Sequence, residues 1–183
     1  MQITGIILAG GKSQRMGTDK ALLEVDGQTL LSRAVGFCQL FCNEVLISSN
    51  YEAHKVEGIQ PIPDETKNCG PMGGIYSCLK HSKNEWNFVL SVDAPFVEVE
   101  FVRFLISHAG NFDAVVPFHQ KGKEPLVALY HKNAIAAMLQ QLSSGEYKMH
   151  FLLEKITTRF VDSQSWVEKF PRLFYNLNSP ADF

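Results

Sequence analysis

The sequence predicts a three-layer α/β/α architecture built on a mostly parallel sheet. Three observations carry this. Short apolar runs alternate with helix-period stretches along the chain, the pattern of successive βαβ units. The run Trp86-Asn87-Phe88-Val89-Leu90-Ser91-Val92 is apolar nearly throughout rather than alternating, as expected of a central strand covered on both faces. No internal repeat, low-complexity tract or dividing linker interrupts the pattern, so residues 1–183 are expected to form one domain.

The elements follow in order. Ile3–Leu8 is the first strand and stops at Gly10-Gly11. Leu30–Phe41 is a helix, Val45–Ser48 a strand, and Gly74–Lys80 a helix entered through a glycine-rich turn. Phe88–Val92 is the central strand, with Asp93 at its carboxyl end, and Val99–His108 is the next helix. Ala114–Pro117 is a strand, after which a polar loop, Phe118–Lys123, leads into the apolar Pro125–Tyr130. Helices are expected over Ala134–Leu142 and Met149–Lys155, and edge strands over Thr158–Val161 and Leu173–Leu177.

Composition narrows the function. A chain of 183 residues buries roughly 70% of the surface its unfolded form exposes, enough for a sizeable core. With 45% hydrophobic and 20% charged residues and a formal net charge of −2, it reads neither as disordered nor as a binder of bulk nucleic acid. The start, Met1-Gln2-Ile3-Thr4, lacks the basic segment of a secretory signal, and no run reaches the length a transmembrane helix needs. Cys38, Cys42, Cys69 and Cys78 contain no CxxC pair and are expected to be reduced thiols of a cytoplasmic protein. Cys38 and Cys42 lie one helical turn apart, but core packing outweighs a metal or redox pair, which would need further ligands. The six histidines show no metal-ligand spacing, and most are expected to be surface or satisfied residues.

The segment Leu8-Ala9-Gly10-Gly11-Lys12-Ser13-Gln14-Arg15-Met16-Gly17-Thr18-Asp19-Lys20 follows the first strand directly. Such a loop can bring backbone N–H groups and cations to a polyphosphate at a sheet edge. A Walker A loop is excluded, because Ile6 stands where the first glycine is required. A Rossmann dinucleotide fingerprint is excluded by the spacing of Gly10, Gly11 and Gly17. Arg15 and Lys20 remain as two cations able to converge on one anion, Arg as a rigid fork and Lys as a mobile point charge. A solvated turn with incidental cations is the competing reading.

The pattern LAGGxSxRMGxDK resembles the signature of GT-A-like, MobA-type nucleotidyltransferases, the molybdenum cofactor guanylyltransferases. Other segments resemble the same family. Asp64 followed by Gly70-Pro71-Met72-Gly73-Gly74-Ile75 is similar to its acidic residue and GPLxGI, with Met72 a volume-conserving change from Leu. Taken alone this segment is equally well a structural turn. Val92-Asp93-Ala94-Pro95-Phe96 resembles CDxPf; taken alone Asp93 reads better as a helix cap before Pro95, and the other motifs turn the reading to metal binding. Asn176-Leu177-Asn178-Ser179-Pro180-Ala181-Asp182 resembles NxNTPxD, and on an extended strand Asn176 and Asn178 would share one face.

The resemblance spans Ile3 to Asp182 and implies a Rossmann-like nucleotidyltransferase fold. It implies transfer of GMP from GTP to the phosphate of molybdopterin, with Mg²⁺ as cofactor. Arg15, Lys20 and Asp93 would be catalytic, with Asp93 the metal ligand. Leu8, Ala9, Gly10, Gly11, Lys20, Asn50, Asp64, Gly70 and Asp93 would bind the nucleotide, and Lys123, Pro125, Asn176 and Asn178 the acceptor. Guanine presents hydrogen-bond donors, so backbone carbonyls near Leu8–Gly10 or the Asp64 carboxylate would read it. Transient contact with molybdoenzymes or molybdenum-insertion proteins is expected, and none with nucleic acid or membrane. The alternatives are a CTP-using molybdopterin cytidylyltransferase, a sugar-phosphate nucleotidyltransferase, and a non-catalytic protein that binds and delivers the cofactor.

Overall fold

Strand β1 (Ile3–Leu8) buries all six of its residues, which requires a helical layer on each face of its sheet. The computed structural model describes residues 1–10 and 19–177 and has both layers. Alternate residues of β1 enter different cores. Ile3 and Ile7 pack with α1 (Leu30–Gln39) and α3 (Val99–Ser107), while Ile6 and Leu8 pack with α2 (Gly70–His81), α4 (Ala134–Ser143) and α5 (Met149–Lys155). The central strand β6 (Trp86–Ser91) divides likewise, Phe88 and Leu90 facing the first core and Val89 the second.

From one edge the sheet runs β10 (Thr158–Asp162), β7 (Ala114–His119), β9 (Val127–His131), β6, β1, β4 (Glu44–Ser48) and β5 (Pro61–Ile62), with the short β8 (Gly122–Lys123) beside β7. Within that row β9 alone runs antiparallel to both neighbours, β6 and β7. The few residues between β7 and β9 are too short for a crossover, so the chain can only double back. From β1 the chain crosses to β4 on one side, and α2 later returns it to β6 on the other. The carboxyl ends of β1 and β6 therefore flank the point where strand order reverses, the place where open α/β sheets bind ligands. Register places Leu8 beside Ser48 of β4 and beside Ser91 of β6, so three strand ends form one level floor.

Local sequence explains the element boundaries. Thr29 caps α1, its hydroxyl accepting the Ser32 N–H at 3.1 Å. α2 begins at Gly70, four residues before the predicted start, because Gly70 adopts a φ of +59° and Pro71 tolerates the first turn. A hairpin the periodicity did not reveal, β2 (Glu24–Val25) with β3 (Gln28–Thr29), turns at Asp26-Gly27, both with positive φ. A short helix, α6 (Gln164–Lys169), was also not predicted.

The predicted strand over Leu173–Leu177 does not form. Residues 171–174 turn, and the Tyr175 N–H donates to the Arg172 carbonyl at 2.9 Å. Leu173 and Leu177 are buried in the first core, so this apolar pattern anchors an irregular segment rather than a ladder.

Candidate functional site

The first strand ends in a turn whose amides face inward. Ala9 and Gly10 both donate N–H to the Ser48 carbonyl, at 3.0 and 3.1 Å, and the Leu8 carbonyl accepts from Val92 N–H at 3.1 Å. These two amides hold β4. Across the planar peptide from the Gly10 N–H, the Ala9 carbonyl points away from β4, so this turn offers an acceptor there. Gly11 and Arg15 lie outside the described residues.

One half of the cleft above the floor is lined by Leu8, Ala9, Gly10, Asp19, Lys20, Ala21, Ser91, Val92 and Asp93. Asp19 caps the single helical turn at Lys20–Leu22, its Oδ1 accepting the Ala21 N–H at 3.0 Å, and so sets where Lys20 leaves the backbone. Lys20 Nζ donates to the Leu177 carbonyl at 2.8 Å. The Leu177 N–H donates to the Asp93 carbonyl at 2.8 Å, so Lys20 and Asp93 are bridged by one residue. Asp93 occupies a tight turn six residues ahead of α3, which removes the helix-cap reading. The Ser91 hydroxyl donates to Asp93 Oδ1 at 2.6 Å and fixes the carboxylate in the cleft.

The other half shares Leu8, Gly10 and Ser91 and adds Ser48, Asp64, Gly70, Pro71, Gly74 and Leu126. Asn50 and Asp64 are locked reciprocally: Asn50 Nδ2 donates to Asp64 Oδ2 at 3.2 Å, and the Asp64 N–H donates to Asn50 Oδ1 at 2.9 Å. Burial raises the Asp64 carboxyl above its ordinary pKa, and the Asn50 bond opposes that rise. A Cβ on Gly74 would overlap the Ser48 hydroxyl, and one on Gly73 would lie 3.1 Å from the Thr66 carbonyl. These two glycines therefore bring α2 close to β4 and to the Asp64 loop. Cys78, beneath Ser48 and Asp64, has its thiol pushed up to about 12 by burial and by the Asp64 charge, so it is an inert core residue.

The acceptor candidates are more scattered. Lys123 lies on β8 with Nζ 4.1 Å from the centroid of the Phe160 ring on β10. The Pro125 carbonyl accepts from the Tyr130 hydroxyl at 2.8 Å. Neither lines the two halves of the cleft, although Leu126 does. Asn176 is exposed immediately before Leu177, and Asn178 lies outside the described residues. One residue the sequence reading passed over is His54, fully buried, with Nε2 2.8 Å from Asp19 Oδ2 and Nδ1 2.6 Å from Ser49 Oγ. No spacing signal marks it, because its partners are 35 and 5 residues away.

As a metal site the Lys20 half of the cleft offers the Asp93 carboxylate, oriented by Ser91, while Asp19 in the same lining has its two oxygens engaged by His54 and by the Ala21 N–H. Among the described residues no group of three or more His, Cys, Asp or Glu side chains could hold a metal ion. That donor set fits Mg²⁺ carried largely by water and phosphate oxygens, which needs one or two carboxylates, and does not fit an all-protein cage.

Comparison with known proteins agrees with this geometry. Residues 5–160 match the family model described as the MobA-like NTP transferase domain. A protein of Pelotomaculum thermopropionicum named "probable molybdenum cofactor guanylyltransferase" is 31% identical over 100% of this chain and 90% of its own length. One of the same name from Halalkalibacterium halodurans is 31% identical over 97% of this chain and 94% of its own. The crystal structure of molybdopterin-guanine dinucleotide biosynthesis protein A from Archaeoglobus fulgidus superposes with a TM-score of 0.82 at 24% identity, covering 98% of this chain and 94% of that one. At that identity the likeness speaks to the fold.

Proposed function

Because this chain belongs to the MobA-like NTP transferase family, we propose that it transfers GMP from GTP to the terminal phosphate of molybdopterin. The products are molybdopterin guanine dinucleotide and pyrophosphate. The single observation that carries this reading is the joining of two unlike half-clefts over one strand floor. One half holds Lys20 and Asp93, and the other holds Asp64, steadied by its bond from Asn50.

The base fits the second half. Guanine offers N1–H and N2–H₂ donors, and the half-buried Asp64 carboxylate, steadied by Asn50, is an acceptor for them. The Ala9 carbonyl adds a further acceptor on the floor. A cytosine edge presents fewer donors to such a lining, which favours GTP over CTP.

The triphosphate then lies toward Lys20 and Asp93. An oxygen of the acceptor phosphate attacks the α-phosphorus, the bond between the α- and β-phosphates breaks, and pyrophosphate departs with that electron pair. The second pKa of a phosphate monoester lies near ~6, so the acceptor is already largely ionised and no general base is needed. The demands are alignment and charge stabilisation. Lys20 meets charge on the phosphates, with Arg15 assigned the same role by its motif. Asp93 would hold Mg²⁺, which when bound supplies Lewis-acid stabilisation of the phosphate charge. On the acceptor side, Asn176 and Asn178 are proposed to meet molybdopterin, with Lys123 and Pro125 at the periphery.

Among the described residues no helix is long and apolar enough to cross a membrane. A cytoplasmic location and transient contact with molybdoenzymes belong to this proposal as well. Turnover compared across GTP, CTP, ATP and UTP with molybdopterin and Mg²⁺ tests it. GTP is expected to give the highest kcat/KM with stoichiometric pyrophosphate, and a preference for CTP would overturn the assignment of the base.

A further inference from the structure

We propose that His54 is a positioning residue for the phosphate half of the cleft: it fastens Asp19, and through Asp19 the Lys20 ammonium, to the loop that carries Asn50. The inference rests on the assignment of Lys20 to the phosphates.

His54 lies in the short helical turn at Glu52–His54, just after β4, and its ring is fully buried. The hydrogen-bond pattern follows from its partners. An ionised carboxylate only accepts, so the Nε2–H donates to Asp19 Oδ2 at 2.8 Å. Nδ1 is hydrogen-bonded to Ser49 Oγ at 2.6 Å, and the same Oγ accepts the Tyr51 N–H at 3.1 Å. Asp19 uses its second oxygen, Oδ1, to cap the turn holding Lys20. Polar contacts therefore run unbroken from Tyr51 through Ser49, His54 and Asp19 to the amide of Ala21.

One end of this chain of contacts, Asp19 and Ala21, lines the Lys20 half of the cleft, and the other, Ser49 and Tyr51, flanks Asn50, which bonds Asp64 of the second half. Ser49 precedes Asn50, the partner of Asp64, and Asp19 precedes Lys20. A histidine that merely filled core volume would need neither nitrogen aimed at these loops. Here each ring nitrogen holds one loop, and the imidazole sets the separation between them. A catalytic cation displaced by about 1 Å can cost on the order of 10²-fold in rate, so a rigid spacer behind Lys20 has a direct consequence for turnover. The Asn50–Asp64 pair is bonded independently of His54, so base binding should depend on it little.

Two substitutions separate the bonding role from the packing role. His54→Phe keeps an aromatic ring of similar volume and removes both hydrogen bonds. His54→Gln gives up the ring and keeps an amide donor for Asp19. Both are measured in the wild-type and Lys20→Ala backgrounds, with thermal unfolding as the control for folding. The expected result is a kcat lowered on the order of 10- to 100-fold by His54→Phe, with KM for GTP little changed. His54→Gln should retain most of the rate, and His54→Phe should add nothing once Lys20 is already Ala. The inference is overturned if His54→Phe keeps the wild-type kcat, if His54→Gln loses as much as His54→Phe, or if the Phe and Lys20→Ala losses multiply. A Lys20→Ala enzyme of near-normal activity would overturn the phosphate assignment itself, and this link with it, and that single variant shows it separately.

Discussion

Lys20 and Leu177, 157 residues apart in the chain, are joined by a 2.8 Å hydrogen bond from the ammonium to the backbone carbonyl. The Leu177 amide is in turn bonded to the Asp93 carbonyl, so the loop after β1, the turn after β6 and the segment after α6 meet at one residue. The side chains assigned to the triphosphate are thus brought together by backbone contacts. Such a site stabilises developing charge with little reorganisation.

The first prediction concerns Lys20. Lys20→Ala should lower kcat by roughly 10²- to 10³-fold, the cost of removing one preorganised electrostatic group. Steady-state turnover at saturating GTP checks this, and thermal unfolding should show an intact fold.

A second prediction follows from Asp93. Its carboxylate is oriented by the Ser91 hydroxyl and faces the cleft. Asp93→Ala should abolish Mg²⁺-dependent turnover while leaving the circular dichroism spectrum unchanged. An unaltered Mg²⁺ titration of activity would remove Asp93 from the ligand set.

Asp64 gives a pH-dependent prediction. Burial raises its carboxyl pKa in the folded protein, so the folded state holds this proton to higher pH than the unfolded state does. The stability linked to that proton is fully present below the ordinary aspartate value and is lost as pH rises through the raised one. Asp64→Asn should therefore be no less stable than wild type at neutral pH. It should also bind GTP more weakly, because an amide presents donors to guanine. In the wild type, GTP affinity should fall as pH drops through the raised pKa, and titration calorimetry across the acid range checks both.

Gly74 gives a packing prediction. Gly74→Ala drives a methyl into the Ser48 hydroxyl at the end of β4 and should cost about 1–3 kcal/mol. A second substitution, Ser48→Ala, removes that hydroxyl and should restore most of the lost Tm.

Much of this was legible in the sequence, for identifiable reasons. Ile3–Leu8 and Trp86–Ser91 are strands whose apolar character comes from burial on both faces, and Met149–Lys155 is a helix as its pattern predicted. Asp93 and Lys20 stood out because they occupy dense motifs near strand ends, whereas Asn50 sits in ordinary loop composition and was reached only through the family resemblance. Leu173–Leu177 misled because alternating apolar residues serve equally as anchors of an irregular segment, and only the three-dimensional partners of Leu177 distinguish the two. The hairpin at Asp26-Gly27 carried a readable turn signal that its two-residue strands did not reinforce. His54 left no trace, since a histidine's role is set by what faces its nitrogens.

The measurement closest to the central claim uses GTP labelled at the α-phosphate, incubated with molybdopterin, Mg²⁺ and either wild-type enzyme or the Lys20→Ala and Asp93→Ala variants. The account predicts that wild type moves the label into a pterin dinucleotide with one pyrophosphate released per transfer, and that both variants leave it in GTP. Label that stays with the nucleotide in the wild-type reaction, or that reaches the pterin equally fast in both variants, would contradict it.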